Sequence, residues 1–301
     1  MSPTRELESF LARLPKVELH LHLEGAVQPE TLRELSRRKG WPRRKIAEWV
    51  SRRRQQHYRY RNFQDFLKAF GMITLLLEEP EDYALATTRL MEWLAAQNVK
   101  YAEVILSAGV VLWKRQSLEK VFEASAEAAR AAGARLGMHI NWIFDAIRHF
   151  GKRHVRQVLH AAARYRSQGV VAFGIGGDEV RGPAELFAEI YREARGLGLH
   201  VVAHAGEAAG AESVRHAIEL LGAERIGHGL KFLAGGLVVT LNSDDPAMFG
   251  TSLENEYLQA ARCFGLSREV MAELARQAAR SAFLPEEDKR ALVEEIDRAT
   301  L

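Results

Sequence analysis

Short apolar, β-branched runs alternate along this chain with long amphipathic stretches, and that alternation restricts it to βα units around a parallel sheet. Seven runs of strand length stand out: residues 17–23, 101–106, 138–144, 170–173, 199–203, 225–226 with the following Gly227 and His228, and 237–241. Helical periodicity fills the stretches between them, at 80–97, 118–132, 153–168, 183–196 and 212–221. No linker, low-complexity segment or short repeat interrupts the pattern. The 301 residues are therefore expected to form a single barrel-like α/β domain, with a basic helical insertion at about 30–75.

The polar residues at the ends of these runs carry the chemistry. His20 and His22 are one residue apart on a strand, and side chains alternate with period 2, so both imidazoles face the same way and can grip one ion. His204, His228 and Asp244 fall at or just beyond the C-terminal ends of later runs, the face at which barrel enzymes gather their active sites. A third imidazole and a carboxylate would complete a shell of three nitrogens and one oxygen with a position open to water, which is the pattern of catalytic zinc. His57, His139, His149, His154, His160, His200 and His216 are read as ordinary satisfied polar residues.

Composition closes off other classes. No apolar run approaches the eighteen or so residues of a membrane span, and the start lacks an apolar signal core, so a cytoplasmic protein is expected. The single cysteine, Cys263, excludes an internal disulfide and any Cys-rich zinc module, and is read as a small packed residue. Net charge is only +3, yet residues 33–61 hold twelve Lys or Arg against Glu34 and Glu48. A solvated helical face explains that block more simply than nucleic acid, because no recognised module accompanies it. Neither nucleic acid nor a membrane is expected as a partner. Gly176-Gly177 lacks the glycine spacing of a dinucleotide fingerprint.

From about Pro15 to Tyr257 the chain resembles the adenosine deaminase family of the amidohydrolase superfamily. The likeness rests on Pro15-Lys16-Val17-Glu18-Leu19-His20-Leu21-His22-Leu23-Glu24-Gly25, Tyr101-Ala102-Glu103-Val104, Gly176-Gly177-Asp178-Glu179, His204-Ala205-Gly206-Glu207, Gly227-His228-Gly229 and Ser243-Asp244-Asp245-Pro246. It implies a (β/α)8 TIM-type barrel of the metal-dependent hydrolase kind, one Zn2+ ion per chain, and hydrolytic removal of the 6-amino group of a purine nucleoside. By motif position His20, His22, His204 and Asp244 would be the metal ligands, and zinc would lower the pKa of a bound water to about 7. His228 would orient that water or accept its proton, with Asp244 assisting, and Glu207 would protonate purine N1. Asp245 would bond near N7, the Gly177 backbone near N3, Glu24 would bind the sugar side, and His22 would also contact substrate. Glu207 could instead cap a helix, and Asp244 and Asp245 could be turn residues. Phe63, Phe66, Leu67 and Phe70 match the family's apolar lid helix, or an ordinary core helix.

One interval departs from the family. Only fifteen residues separate His228 from Asp244, where the family has a further strand and helices. The eight residues 229–236 span at most about 26 Å, too little for a βα unit. One βα segment is thus missing between about Phe232 and Leu233, either by true deletion or by an excision joining two stretches of a longer chain. The intact motifs on both sides favour excision.

Adenosine is the default substrate. Aminodeoxyfutalosine, an adenosine-like menaquinone precursor with a carboxylate, competes because Glu24 stands where adenosine deaminases often carry Asp, and because of the basic block. Adenine or another aminopurine, a non-catalytic zinc-binding barrel and a dinuclear amidohydrolase are the remaining readings; the last lacks an apparent bridging lysine near 170–174.

Overall fold

Strands form where β-branched and aromatic residues cluster, and the polar stretches between them wind into helices. A computed structural model describes residues 3–41, 58, 63–228 and 238–300. In chain order these form α1 (Pro3–Arg13), β1 (Lys16–His22), α2 (Pro29–Arg38), α3 (Phe63–Leu76), α4 (Pro80–Ala95) and β2 (Val99–Leu106). Next come α5 (Ala108–Trp113), α6 (Leu118–Leu136), β3 (His139–Ile147), α7 (Lys152–Arg164), β4 (Val170–Gly176), α8 (Ala188–Gly196) and β5 (His200–Ala205). The chain closes with α9 (Ala211–Glu219), β6 (Arg225–His228), α10 (Pro246–Phe249), α11 (Leu253–Phe264), α12 (Arg268–Ser281) and α13 (Glu286–Thr300). The strands follow sequence order, β1-β2-β3-β4-β5-β6, and the β3–β4, β4–β5 and β5–β6 pairs are parallel. None of the described helices is long and apolar enough to cross a membrane.

Contacts divide the chain into two units: Met1–Glu103, Glu119–Ile140 and Val239–Leu301 in one, Val104–Leu118 and Asn141–Val238 in the other. In the first, α12 packs on β1 and on α13, and α1 packs on α11. The period-2 alternation of β1 puts Val17, Leu19 and Leu21, all buried, on one face and Lys16, Glu18, His20 and His22 on the other. Lys16 closes the start of that polar face, donating to the carbonyls of Leu11 (2.5 Å), Leu14 (2.9 Å) and Gln97 (2.8 Å). Burial pushes its ammonium down to about 8, against the pull of Glu254. In the second unit α7 packs on β4, and α8 and α9 pack on β5. Ala172, Phe173, Val201 and Ala203, all buried, form the interior of the strand layer.

Six of the seven expected strands are present, and β3 runs beyond its expected end to Ile147. The seventh is corrected: residues 238–241 are not a strand, and this segment meets β1 only through an isolated parallel bridge between Leu21 and Asp244. The physical reason lies in the bonds that replace a ladder. Leu19 N–H donates to the Asn242 side-chain Oδ1 (2.9 Å) rather than to a backbone carbonyl, and Ser243 donates to the Glu18 carboxylate. Cys263 is also corrected, since it is exposed on α11 rather than packed. The expected join near Phe232 and Leu233 lies outside the described residues, as does most of the basic block. Of that block, Arg33 pairs with Glu30 and Arg38 with Glu34 at the surface, and Lys39 with Glu78 and with the buried Asp82, so these cations serve ion pairs within the fold.

Candidate metal centre and acid catalyst

In the first unit, β1 and the segment after Thr240 bring three candidate ligands together. Asp244 N–H donates to the His20 carbonyl (3.1 Å) and His22 N–H to the Asp244 carbonyl (2.9 Å), so two backbone bonds hold Asp244 between the two histidines. Its carboxylate Oδ1 lies 3.2 Å from His20 Nε2 and 3.4 Å from His22 Nε2. Donor atoms about 2.0–2.1 Å from a tetrahedral zinc stand about 3.3 Å apart, so both spacings match edges of such a shell. A donor set of imidazole nitrogen and carboxylate oxygen suits the same ion. Asp244 holds φ at +59°, a conformation that only a tight local requirement sustains in a residue other than glycine.

Beneath this group, the fully buried Glu18 accepts from Ser243 N–H (2.9 Å) and Oγ (3.0 Å) and so fixes the approach to Asp244. Burial pushes Glu18 up to about 8, against the Ser243 bonds. Glu24 and Asp245 are both buried. Gly25 accommodates Asp245, whose Oδ1 lies 1.6 Å from where a Cβ on that glycine would sit. On α3, Phe66 stacks on Phe249 at 5.3 Å, so this helix covers α10, which begins one residue after Asp245.

The second unit supplies the other candidates from β5, β6 and their exits. In the parallel register His204 faces Gly227 and Ala205 faces His228, which sets the two imidazoles 5.5 Å apart. His204 is buried, and its Nδ1 bonds the Ile175 carbonyl at 3.2 Å. A carbonyl only accepts, so Nδ1 carries the proton and Nε2 is left as the ligand atom. The Asp145 carboxylate lies 3.9 Å from the same Nδ1, over Gly174 and Gly176. Arg148, itself buried, donates to the His204 carbonyl (2.6 Å) and the Gly182 carbonyl (3.2 Å). Glu207 Oε2 stands 3.6 Å from His228 Nε2, and His228 is a second strained residue, with φ +70°. Gly177, at φ +91°, has the His149 ring against it, and His149 Nδ1 accepts the Asp178 N–H (3.3 Å). Burial first, then Arg181 and Arg148, hold that imidazole below its usual range.

Of the described histidine and carboxylate side chains, His20, His22 and Asp244 in the first unit and His204 in the second each offer one atom that could ligate a metal ion. The other described histidines are used structurally. His139 stacks on Tyr101, His154 bonds the Gly109 carbonyl, His160 pairs with Glu193, His200 with Glu224, and His216 with Glu185 and Glu212. His57 lies outside the described residues. Sequence reading did not single out Asp145, Arg148 or Gly25, and it quoted Glu179 without a role. Asp145 was discoverable as the one charge in the apolar run of β3, but it lay past that run's expected end.

The adenosine deaminase family model matches residues 15–234 and 230–299. The two stretches meet at the short connection after β6, where the family segment without a counterpart therefore falls. A Streptomyces avermitilis protein named aminodeoxyfutalosine deaminase is 32% identical over 340 aligned positions, covering 98% of this chain and 94% of its own. An adenine deaminase of Chelativorans sp. (strain BNC1) is 32% identical over 320 positions, covering 93% and 97%. A zinc-bound amidohydrolase from Burkhoderia ambifaria superposes with a TM-score of 0.84 at 23% identity, covering 100% of this chain and 94% of that one. That likeness shows the fold, an α/β barrel. On the family match over most of its length, the chain belongs to the adenosine deaminase family of hydrolases.

Proposed function

We propose that this chain catalyses zinc-dependent hydrolytic deamination of a 6-aminopurine nucleoside, with aminodeoxyfutalosine as the substrate ahead of adenosine. The observation that carries the reaction type is Glu207 Oε2 at 3.6 Å from His228 Nε2, beside His204 at 5.5 Å from His228 between ring centres. A carboxyl proton donor and an imidazole proton acceptor are thus set side by side next to a candidate ligand. His20, His22, His204 and Asp244 would hold one zinc ion. When bound, that ion supplies Lewis-acid activation of water, making it nucleophilic near neutral pH.

The chain's residues account for the remaining requirements. His228 orients the attacking water and takes its proton, at a position fixed by β6 pairing with β5. Glu207 protonates purine N1 as the water oxygen bonds to C6, so the ring accepts the electron pair. His228 then passes the proton it took from water to the departing nitrogen, the C6–N6 bond breaks, ammonia leaves, and the C6 hydroxyl proton returns to Glu207, so that a 6-oxopurine remains. Asp245, seated against Gly25, bonds near N7, the Gly177 N–H meets N3, and His22 and Glu24 face the sugar.

Aminodeoxyfutalosine is favoured because the Streptomyces avermitilis relative bearing that name matches nearly the whole of this chain. Adenine is the second reading, supported by the Chelativorans relative at the same identity. The test is an absorbance assay of the zinc-loaded protein with aminodeoxyfutalosine, adenosine and adenine offered side by side. Preferred turnover of aminodeoxyfutalosine is expected, with Glu207→Ala lowering it about 100- to 10,000-fold to a measurable residual rate while zinc is retained. Turnover of none of the three, in protein holding one zinc, would support the non-catalytic barrel.

A further inference from the structure

Glu179 is a buried carboxylate that no step of the deamination uses, yet five donors converge on it. Its Oε1 accepts the backbone N–H groups of Glu207 (3.0 Å), Ala208 (2.8 Å) and Ala209 (3.3 Å). Its Oε2 accepts the Gly206 N–H (2.9 Å) and the Ser213 hydroxyl. Four consecutive amides directed at one carboxylate fix the backbone on both sides of the Glu207 Cα. Gly206 makes this convergence possible by turning at φ +76°, a conformation open to glycine. Ser213 lies on α9, so the same carboxylate ties the exit of β5 to the helix that follows.

Glu207 itself is partly exposed, and its reach to His228 is 3.6 Å. With the main chain pinned, only its own side-chain torsions remain to be ordered when substrate arrives. A residue charged with delivering one proton to one ring nitrogen needs that restriction, because displacement of a reacting group by about 1 Å can cost about a hundredfold in rate.

We propose that Glu179 is the positioning residue for the acid catalyst, holding residues 206–209 as an internal anion-bound loop that aims Glu207. The inference rests on the reading of Glu207 as the proton donor. Charge and shape both matter: glutamine at this position has one acceptor oxygen, and its amide would set N–H groups against backbone N–H groups.

The experiment uses the zinc-loaded full chain, its Glu179→Gln and Ser213→Ala variants, and the pair Glu207→Ala and Glu179→Gln/Glu207→Ala. Amide hydrogen exchange at 206–209, kcat and KM for the best aminopurine substrate, zinc content and Tm are measured. Glu179→Gln is expected to lower kcat about 10- to 100-fold with KM within about threefold and zinc retained, and to speed exchange at 206–209. Added to Glu207→Ala it is expected to cause no further loss, because a positioning effect vanishes with the group it positions. Ser213→Ala, which leaves the four amide bonds in place, is expected to show a smaller change in the same direction and serves if Glu179→Gln does not fold. Unchanged exchange at 206–209, or an undiminished further loss in the double variant, overturns the proposal. If the parent protein deaminates none of the substrates, the functional reading falls separately, and the exchange data alone decide whether Glu179 holds the Glu207 segment.

Discussion

The carboxylate of Asp245 occupies the space that any side chain at Gly25 would need. A Cβ on Gly25 would lie 1.6 Å from Asp245 Oδ1 and 2.4 Å from its Cγ. Gly25 closes the His20–Gly25 motif after β1, and Asp245 begins α10, so one missing methyl group joins the two segments on which substrate contacts are placed. Gly25→Ala is therefore expected to expel Asp245 from its seat. Turnover should fall by at least about tenfold, the order of one lost hydrogen bond to a charged group. Zinc content should remain at the parent level, since His20, His22 and Asp244 do not touch Gly25 in the same way. Kinetics with parallel metal analysis check this; unchanged kinetics would show that Asp245 has no part in substrate binding.

Gly176 performs a related service for His204. A Cβ there would meet Asp145 Oδ2 at 2.8 Å and His204 Nδ1 at 3.2 Å, the carboxylate beside the candidate ligand and the ligand itself. Gly176→Ala is expected to weaken zinc binding about 10- to 100-fold, the usual consequence of disturbing groups that support a ligand. Asp145→Asn should weaken it by less, because the Nδ1 bond to the Ile175 carbonyl survives. Competition with a chelator for zinc measures both.

These two glycines mark the boundary of what the sequence reveals. The pairing of His20 with His22 follows from strand alternation alone, and His204, His228 and Asp244 were visible as polar residues ending apolar runs. Asp145 above Gly176, and Asp245 against Gly25, depend on which residues face each other across strands and loops, and no local pattern encodes that register. Glu179 was read as part of a motif, but its five donors lie 27 to 34 residues away. The seventh strand misled for the opposite reason. Its β-branched composition is that of a strand, while side chains of Asn242, Ser243 and Glu18 take over the bonds that a ladder would make.

Acid should loosen the Glu207 segment through Glu179. Burial opposes the Glu179 charge, but the Ser213 hydroxyl and the Ala208, Gly206 and Ala209 amides outweigh it and hold the carboxyl below the ordinary value of 4.5. A carboxyl with a depressed folded pKa adds stability that is present above its unfolded pKa and is lost as pH falls through the folded value. The contribution should thus be constant at neutral pH and disappear below about 4.5. Urea unfolding from pH 7 to pH 3 is expected to fall more steeply for the parent than for Glu179→Gln. Parallel curves would show that the carboxylate carries no linkage.

Zinc removal should act on stability as well as on turnover. His20 and His22 both set Nε2 against a single Asp244 oxygen, and the two chain segments that carry these groups are distant in sequence. An ion bound to the folded chain at a hundred times its Kd stabilises by about 2.7 kcal/mol, a Tm rise of about 4 °C in a chain of 301 residues. Chelator treatment is expected to lower Tm by that amount and to abolish turnover, and added zinc to restore both. Asp244→Ala should show the low Tm with or without zinc. A Tm indifferent to chelator in the parent would remove these residues from the metal shell.

The connection after β6 yields the simplest measurement. A parallel crossover needs about a dozen residues or more, and eight cannot lay a strand and helix between His228 and the segment of Asp244. The family model matches in two stretches that meet there, and the Streptomyces avermitilis relative aligns over 340 positions against a chain of 301 residues. The His228 and Asp244 motifs on either side of that connection are both intact. The excision account therefore predicts a native protein heavier than 33.8 kDa by several tens of residues, all inserted near Phe232 and Leu233. Intact mass spectrometry with peptide mapping across 229–237 decides it. A mass of 33.8 kDa would establish a true deletion, and His228 would then have to hold its place without the strand that follows it elsewhere in the family.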